Sequence, residues 1–336
     1  MSSPILIIVV STTYLALLFA VAYTVDRKPE WGFRMINSSL VYTLSLAVYC
    51  TSWTFYGSVG RASENGIDFL TIYLGPTLAF CLGFGLLRKI LRVAKANRVT
   101  SIADLIASRY GKSAGLAGLV TVIALIGTVP YIALQLKAVS TGFTMLTSFP
   151  AFGGAIHDTP ILTDAALWAA LLLTLFAMLF GSRNINPGEH HQGMVAAVAL
   201  DSVVKLACLT AVGIFVTFVL FGGFGDLFGK AAQVPDVHRL FRYGGASRNF
   251  DWIAFTALSL TAVVCLPRQF PVLVVEPVDA RHLDRSLWLF PLYLLAINIF
   301  VLPIALGGRL IMPVGADPDS LVLSLPLASG QPGLAL

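Results

Sequence analysis

The chain has 336 residues, 57% hydrophobic and only 12% charged, with a mean hydropathy of +0.83. A soluble domain carries about 25% charged residues, so this composition excludes a soluble globular domain and defines an integral membrane protein. The net charge of +5 is modest and gives no reason to expect a nucleic-acid partner.

A membrane span needs roughly 20 apolar residues. Eight runs reach or approach that length: 4–25, 39–60, 67–91, 115–146, 164–181, 194–221, 252–267 and 287–306. The first has no Lys or Arg before it, and Arg27 and Lys28 follow it. It therefore differs from a cleaved signal peptide and places the N-terminus outside. With eight crossings, the cytoplasmic side holds fourteen Lys and Arg and the outer side six, with Lys137 and Lys205 inside spans. This positive-inside bias suits a bacterial-type inner membrane.

The second run contains "VYCTSWTFYGSVG", Val48 to Gly60. Hydroxyls, a thiol and two glycines there weaken the helix in the middle of a span. The fourth run is long, about 32 residues by the span rule, and Pro130 within it is expected to kink or end a helical piece. The seventh run ends in "CLPRQFPVLVVEP", where Pro267, Pro271 and Pro277 break a continuous helix. One early and one late span are thus interrupted, and by the loop count they run in opposite directions. Transporters built from inverted repeats bind solute and ion at such matched breaks. On this pattern 1–38 is an extra helix and loop, 39–221 a first five-helix repeat, 252–306 the start of a second, and 307–336 an outer loop.

Several residues carry chemistry unusual for hydrocarbon. Carbonyls freed by an unwound helix are tolerable only where they line a cavity or bind an ion. Thr51 and Ser52 offer hydroxyls beside the break, while Tyr49, Trp53 and Tyr56 either stack on an organic solute or pack helices. Gln135 and Lys137 lie in the fourth run. An intramembrane lysine is a functional candidate unless it snorkels or pairs internally. Asp201 and Lys205, four apart, share a helix face and read as a neutralised ion pair or as a coupling pair. Arg268 and Gln269 stand at the second break as pocket or gate residues. Glu189, His190 and His191 suggest either pH or metal sensing or an interfacial loop, and a metal site needs more ligands. "TSIAD", Thr100 to Asp104, reads as a capping box opening a short helix. Cys50, Cys81, Cys208 and Cys265 have neither metal nor redox spacing. No nucleophile–base pair shares a face, so no enzymatic activity is expected.

Five stretches carry a resemblance. "SLAVYCTSWTFYGSVG" is similar to the first core helix of the sodium/solute symporter family, which has a LeuT-like fold. "VTSIADLIASRYGK" and "VPYIALQLKAVSTGF" resemble its later segments. "SLAVYCTSWTFYGSVG", "TSIADLIASRYGKS", "GEHHQGMVAAVALDSVVKL" and "VVCLPRQFPVLVVE" are all similar to a subgroup in which this region is the membrane domain of a sensor histidine kinase. The resemblance implies an all-α polytopic fold of about eight transmembrane helices, with the first inverted repeat complete and the second truncated. It implies a fragment of a longer parent that carries a small organic solute, such as an amino acid, across the bilayer. In the kinase-fused alternative the same region senses for a cytoplasmic kinase domain. It also implies Na⁺ as coupling ion, held partly by the carbonyls of Ala47 and Cys50. Two departures stand out: Tyr49 lies where some members have an acidic side chain, and Gln269-Phe270-Pro271 stands where Gln-Pro-His is common.

Overall fold

The computed structural model describes residues 3–27, 30, 32, 35, 37–149, 164–176, 192–240, 246–277, 279, 281–313 and 315–336. All regular structure among these residues is helical. In chain order the helices are α1 (Pro4–Arg27), α2 (Ser39–Leu46), α3 (Ser52–Phe55), α4 (Gly57–Asn65), α5 (Thr71–Cys81), α6 (Phe84–Asn97), α7 (Ile102–Arg109), α8 (Ala114–Ser148) and α9 (Ala165–Phe176). Then follow α10 (Gln192–Ile214), α11 (Phe224–Ala232), α12 (Pro235–Leu240), α13 (Ala246–Cys265), α14 (Gln269–Val274), α15 (Arg281–Asn298), α16 (Val301–Ile311), α17 (Leu321–Ala328) and α18 (Pro332–Ala335).

Four helical stretches are long and apolar enough to cross a membrane: Pro4–Arg27, Ala114–Ser148, Gln192–Leu220 and Arg281–Ile311. A fifth results if Ser52–Cys81 and Phe84–Asn97, bent by 72° at their junction, count as one span. Ser39–Tyr49 and Asn249–Cys265 are apolar but shorter. Among the described residues four or five full-length spans stand beside these two shorter apolar helices. The 164–181 run is described only as far as Phe176, and Glu189, His190 and His191 lie outside the described residues.

Two local expectations have clear outcomes. Ser101 accepts the Asp104 N–H at 3.1 Å, and Asp104 accepts the Thr100 N–H at 3.3 Å, so reciprocal capping opens α7. Pro130, by contrast, does not end a helix. α8 runs unbroken for 35 residues through it. Proline deletes only its own donor, and neighbouring turns and helices keep such a segment helical in a membrane. At 1.5 Å per residue α8 is roughly 52 Å long, so it tilts in, or overshoots, a core about 30 Å thick.

In hydrocarbon, helices associate by close van der Waals contact through small residues and by a few polar links. α13 lies along α5 in this way. Ser259 Oγ donates to the Thr71 carbonyl at 2.7 Å, and the Trp252 indole N–H donates to Asp68 at 2.7 Å. Gly75 lets the two backbones meet, since a Cβ there would strike the Leu260 backbone N. α1 is fastened to α10 by the Tyr14 hydroxyl on Asp201 and by the Gly193 N–H on Asp26, 2.7 and 2.8 Å. The core is apolar, with Leu46, Phe80, Phe270, Phe290, Ile304 and Leu325 fully buried. Leu119, Ile123, Ile126 and Val129 of α8 are exposed, as a lipid-facing surface requires. In the 307–336 segment, Val322, Ser324, Leu325 and Pro326 of α17 are buried.

Replacing Gly75 with Leu is expected to lower the melting midpoint of the purified chain, at an overpacking cost of about 1–3 kcal/mol. Gly85→Ala, where no atom lies within 4 Å of the added carbon, is expected to leave it nearly unchanged. Equal melting of the two variants would refute the close α5–α13 contact.

Candidate functional site at a broken helix

α2 ends at Leu46, a 3₁₀ turn covers Ala47–Tyr49, and the chain then extends through Cys50 (φ −82°, ψ 110°) and Thr51 (φ −111°, ψ −168°) before α3 begins at Ser52. The local sequence favours this break. Val48, Tyr49, Cys50 and Thr51 are weak helix formers, and hydroxyls offer the backbone competing partners. The Cys50 N–H donates to the Ala47 carbonyl at 2.9 Å in place of Leu46, and the Thr54 N–H turns to Thr51 at 2.9 Å in place of Cys50. The Cys50 carbonyl is thereby released from the helical ladder, and the Leu46 carbonyl is left at the junction of α2 with the 3₁₀ turn.

Side chains from two other helical regions meet the released groups. Gln269 at the start of α14 is fully buried and donates Nε2–H to the Leu46 carbonyl at 3.1 Å. Arg268 donates from Nη2 to the Tyr49 carbonyl at 3.3 Å. Lys205 of α10 donates from Nζ to the Cys50 carbonyl at 3.3 Å. The same ammonium is ion-paired with Asp201 one turn earlier on its helix, and Asp201 accepts the Tyr14 hydroxyl. Arg268 also donates to the Tyr131 hydroxyl of α8 and lies 4.2 Å from that ring's centre, a distance suited to cation–π attraction.

The frame around the break is tightly bonded. The Tyr42 hydroxyl donates to the Leu273 carbonyl at 3.0 Å, Thr43 and Ser286 share a hydrogen bond of 2.7 Å, and Ser202 Oγ donates to Leu44 at 2.9 Å. Ser52 donates to Gln135 Oε1 of α8, and Gln135 Nε2 donates to the Tyr131 carbonyl. The Tyr49 hydroxyl donates to Ile72 at 2.9 Å. Trp53 lies over Gly57, where a Cβ would strike the indole, and the Tyr56 hydroxyl reaches Gly142 of α8.

The structure therefore gathers Ala47, Tyr49, Cys50, Ser52, Gln135, Lys205, Asp201, Arg268 and Gln269 around one break. It leaves Lys137 apart. That side chain is exposed, and its charge acts instead on Asp319, whose carboxyl is raised by burial and by Asp317 while Lys137 opposes the shift. Two buried atoms at the break, Arg268 Nε and Gln269 Oε1, make no hydrogen bond among the described residues. The sequence showed Asp201 and Lys205 only as neighbours on a helix. Their placement against Cys50, and that of Arg268 against Tyr49, were not anticipated, although a cation inside an apolar run must find an acceptor. Among the described residues no group of three His, Cys, Asp or Glu side chains could hold a metal ion.

Together these features define a multi-pass helical membrane protein with a polar, interrupted helix inside its bundle. Two curated proteins of Bacillus subtilis (strain 168), both described as uncharacterized symporters, resemble it. YhjB is 26% identical over 310 residues, covering 90% of this chain and 58% of that protein. YodF is 27% identical over 202 residues, covering 53% and 38% respectively. The chain thus spans less than three-fifths of the length of these relatives. No family model matches the chain, and no solved structure matches it.

Removing the Lys205 amine alone strands Asp201 in an apolar setting. Lys205→Met is expected to cost about 3–5 kcal/mol, and the double variant Asp201→Asn with Lys205→Met to recover at least half of it. A double-mutant cycle on thermal or denaturant stability reads this. Strict additivity of the two single changes would show that the pair is not energetically coupled.

Proposed function

We propose that this chain forms the cation- and solute-binding part of a symporter-like transporter for a small organic, amino acid-like solute. The observation that carries this reading is the break at Cys50–Thr51, an unwound membrane helix whose carbonyls and hydroxyls face side chains from α8, α10 and the turn before α14. Irregular backbone at membrane depth is tolerated where it is buried in protein or lines a cavity, and transporters place their ligands at such discontinuities. The names of the two Bacillus relatives support the same class of activity. Ser52, Gln135, Tyr49 and Trp53 are the solute-facing candidates, with the unpaired Arg268 Nε and Gln269 Oε1 as additional polar contacts. Ala47 and Cys50 supply the carbonyls of the cation position. The distribution of basic residues supports a plasma-membrane protein with its N-terminus outside.

The purified chain in lipid nanodiscs, melted against a panel of amino acids and small carboxylic acids, is expected to be stabilised by one chemical group of them. Gln135→Ala, which removes the partner of Ser52, is expected to weaken that binding about tenfold, the effect of one lost polar contact of about 1.4 kcal/mol. If no member of the panel shifts the melt, and cells expressing the protein that carries this chain accumulate none of them, the transport reading fails.

A further inference from the structure

We propose that the basic face formed by α6 and the end of α7 is a docking surface for anionic phospholipid headgroups in the leaflet it meets. This goes beyond transport and does not depend on which solute is carried.

α6 does not continue the line of the helical stretch before it. The Leu82 and Gly83 N–H groups both donate to the Leu78 carbonyl, at 2.8 and 3.2 Å, and α6 leaves at 72° to Ser52–Cys81. Gly83 permits the turn, since a Cβ there would strike the Ala79 carbonyl. One face of α6 is fixed to the protein: Leu87, Leu91 and Ala94, at i, i+4 and i+7, are buried. Leu82, Phe84 and Leu86, just before and within its first turn, are exposed, and the basic residues begin at Arg88. An apolar start followed by a basic end on an exposed helix suits a segment that passes from acyl chains into the headgroup layer.

Charge decides the occupant. Between Leu82 and Ala114 the sequence holds seven Lys and Arg and one acidic residue, Asp104, whose carboxylate is engaged in the α7 cap. Two of the cations are occupied. Arg88 pairs with Asp284 at 2.8 Å, and Lys95 donates to the Pro277 carbonyl at 2.6 Å. The other five, Lys89, Arg92, Arg98, Arg109 and Lys112, are exposed and have no acidic partner among the described residues. Tyr110, exposed beside them, carries the kind of amphipathic ring that sits at headgroup level.

The backbone gives an independent pointer. Arg98 (φ 51°) and Lys112 (φ 56°) are the two non-glycine residues with positive φ among the described residues, and both belong to this face. Glycine is favoured at such positions, above all just after a helix, which is where Arg98 stands at the end of α6. A long cation kept at both points against the local preference signals a partner for the side chain. A lipid phosphate fits: it is anionic, it lies where the apolar start of α6 leaves the hydrocarbon, and it accepts paired hydrogen bonds from a guanidinium.

The test uses the whole chain in neutral detergent, titrated with phosphatidylglycerol, with phosphatidylcholine as the uncharged control, and reads the melting midpoint. The midpoint is expected to rise saturably with phosphatidylglycerol alone, and the rise to shrink as salt increases from about 0.05 to about 0.5 M. Lys89→Gln with Arg92→Gln is expected to raise the half-saturating phosphatidylglycerol concentration about 25-fold, about fivefold for each cation removed. Arg98→Gly with Lys112→Gly separates binding from folding. Without anionic lipid it is expected to melt at or above wild type, because glycine relieves the strained φ, yet to lose phosphatidylglycerol affinity to a similar extent. Arg309→Gln, which removes a cation from α16, is expected to leave the titration unchanged. The proposal is overturned if both double variants titrate as wild type does, if Arg309→Gln is as damaging as either, or if inorganic phosphate at equal concentration produces the same rise. A rise with polyglutamate and none with phosphatidylglycerol assigns the face to an acidic protein partner and overturns it as well.

Discussion

The backbone carbonyls released between Leu46 and Thr51 set the terms for the rest of this bundle. In water they would cost little. Inside an apolar bundle each unsatisfied carbonyl costs several kcal/mol by the ~2–7 kcal/mol scale for an unpaired polar group, so each must find a donor within reach. The chain supplies donors from distant segments: Gln269 for Leu46, Arg268 for Tyr49 and Lys205 for Cys50. These contacts span 155 to 223 residues of sequence, and satisfying the break brings α10 and the turn before α14 against α2.

That demand explains the polar residues placed where composition alone would put Leu or Val. Asp201 neutralises Lys205, and Tyr14 of α1 completes the carboxylate's coordination. Ser202 and Tyr293 then link α10 to α2 and α15 through backbone carbonyls. The result is a set of hydrogen bonds that ties α1, α2 and α15 to α10. Such networks fix a unique arrangement when fully satisfied and are costly when half-satisfied. The small residues play the complementary part. Gly75 against Ser259 and Leu260, and Gly57 beneath Trp53, allow the approach that brings donors and acceptors into range.

Function is read from this same tension. A helix that ran straight from Ser39 to Asn65 would have no polar interior to offer. The interruption creates one, held together by Lys205 on the Cys50 carbonyl and Arg268 on the Tyr49 carbonyl.

The residues themselves determined much. Low charge and long apolar runs fixed a helical membrane protein, because hydrocarbon permits few other backbones. The proline cluster after Cys265 and the hydroxyl-rich stretch around Cys50 marked both interruptions, since each weakens local helix geometry. Ser101 and Asp104 announced the start of α7 through a bond between residues three apart. What the tertiary structure alone decided was which distant groups meet. Pro130 read as a kink or a helix end, and α8 continues through it, because one missing donor is outweighed by the intact turns around it. Lys137 and Lys205 were equally conspicuous as cations in apolar runs. Only packing separated them, turning Lys137 outward toward Asp319 and Lys205 inward to the Cys50 carbonyl. Helical periodicity gives a residue's face on its own helix, but the partner of that face depends on how the helices are assembled, and that is a contact between residues far apart in the chain.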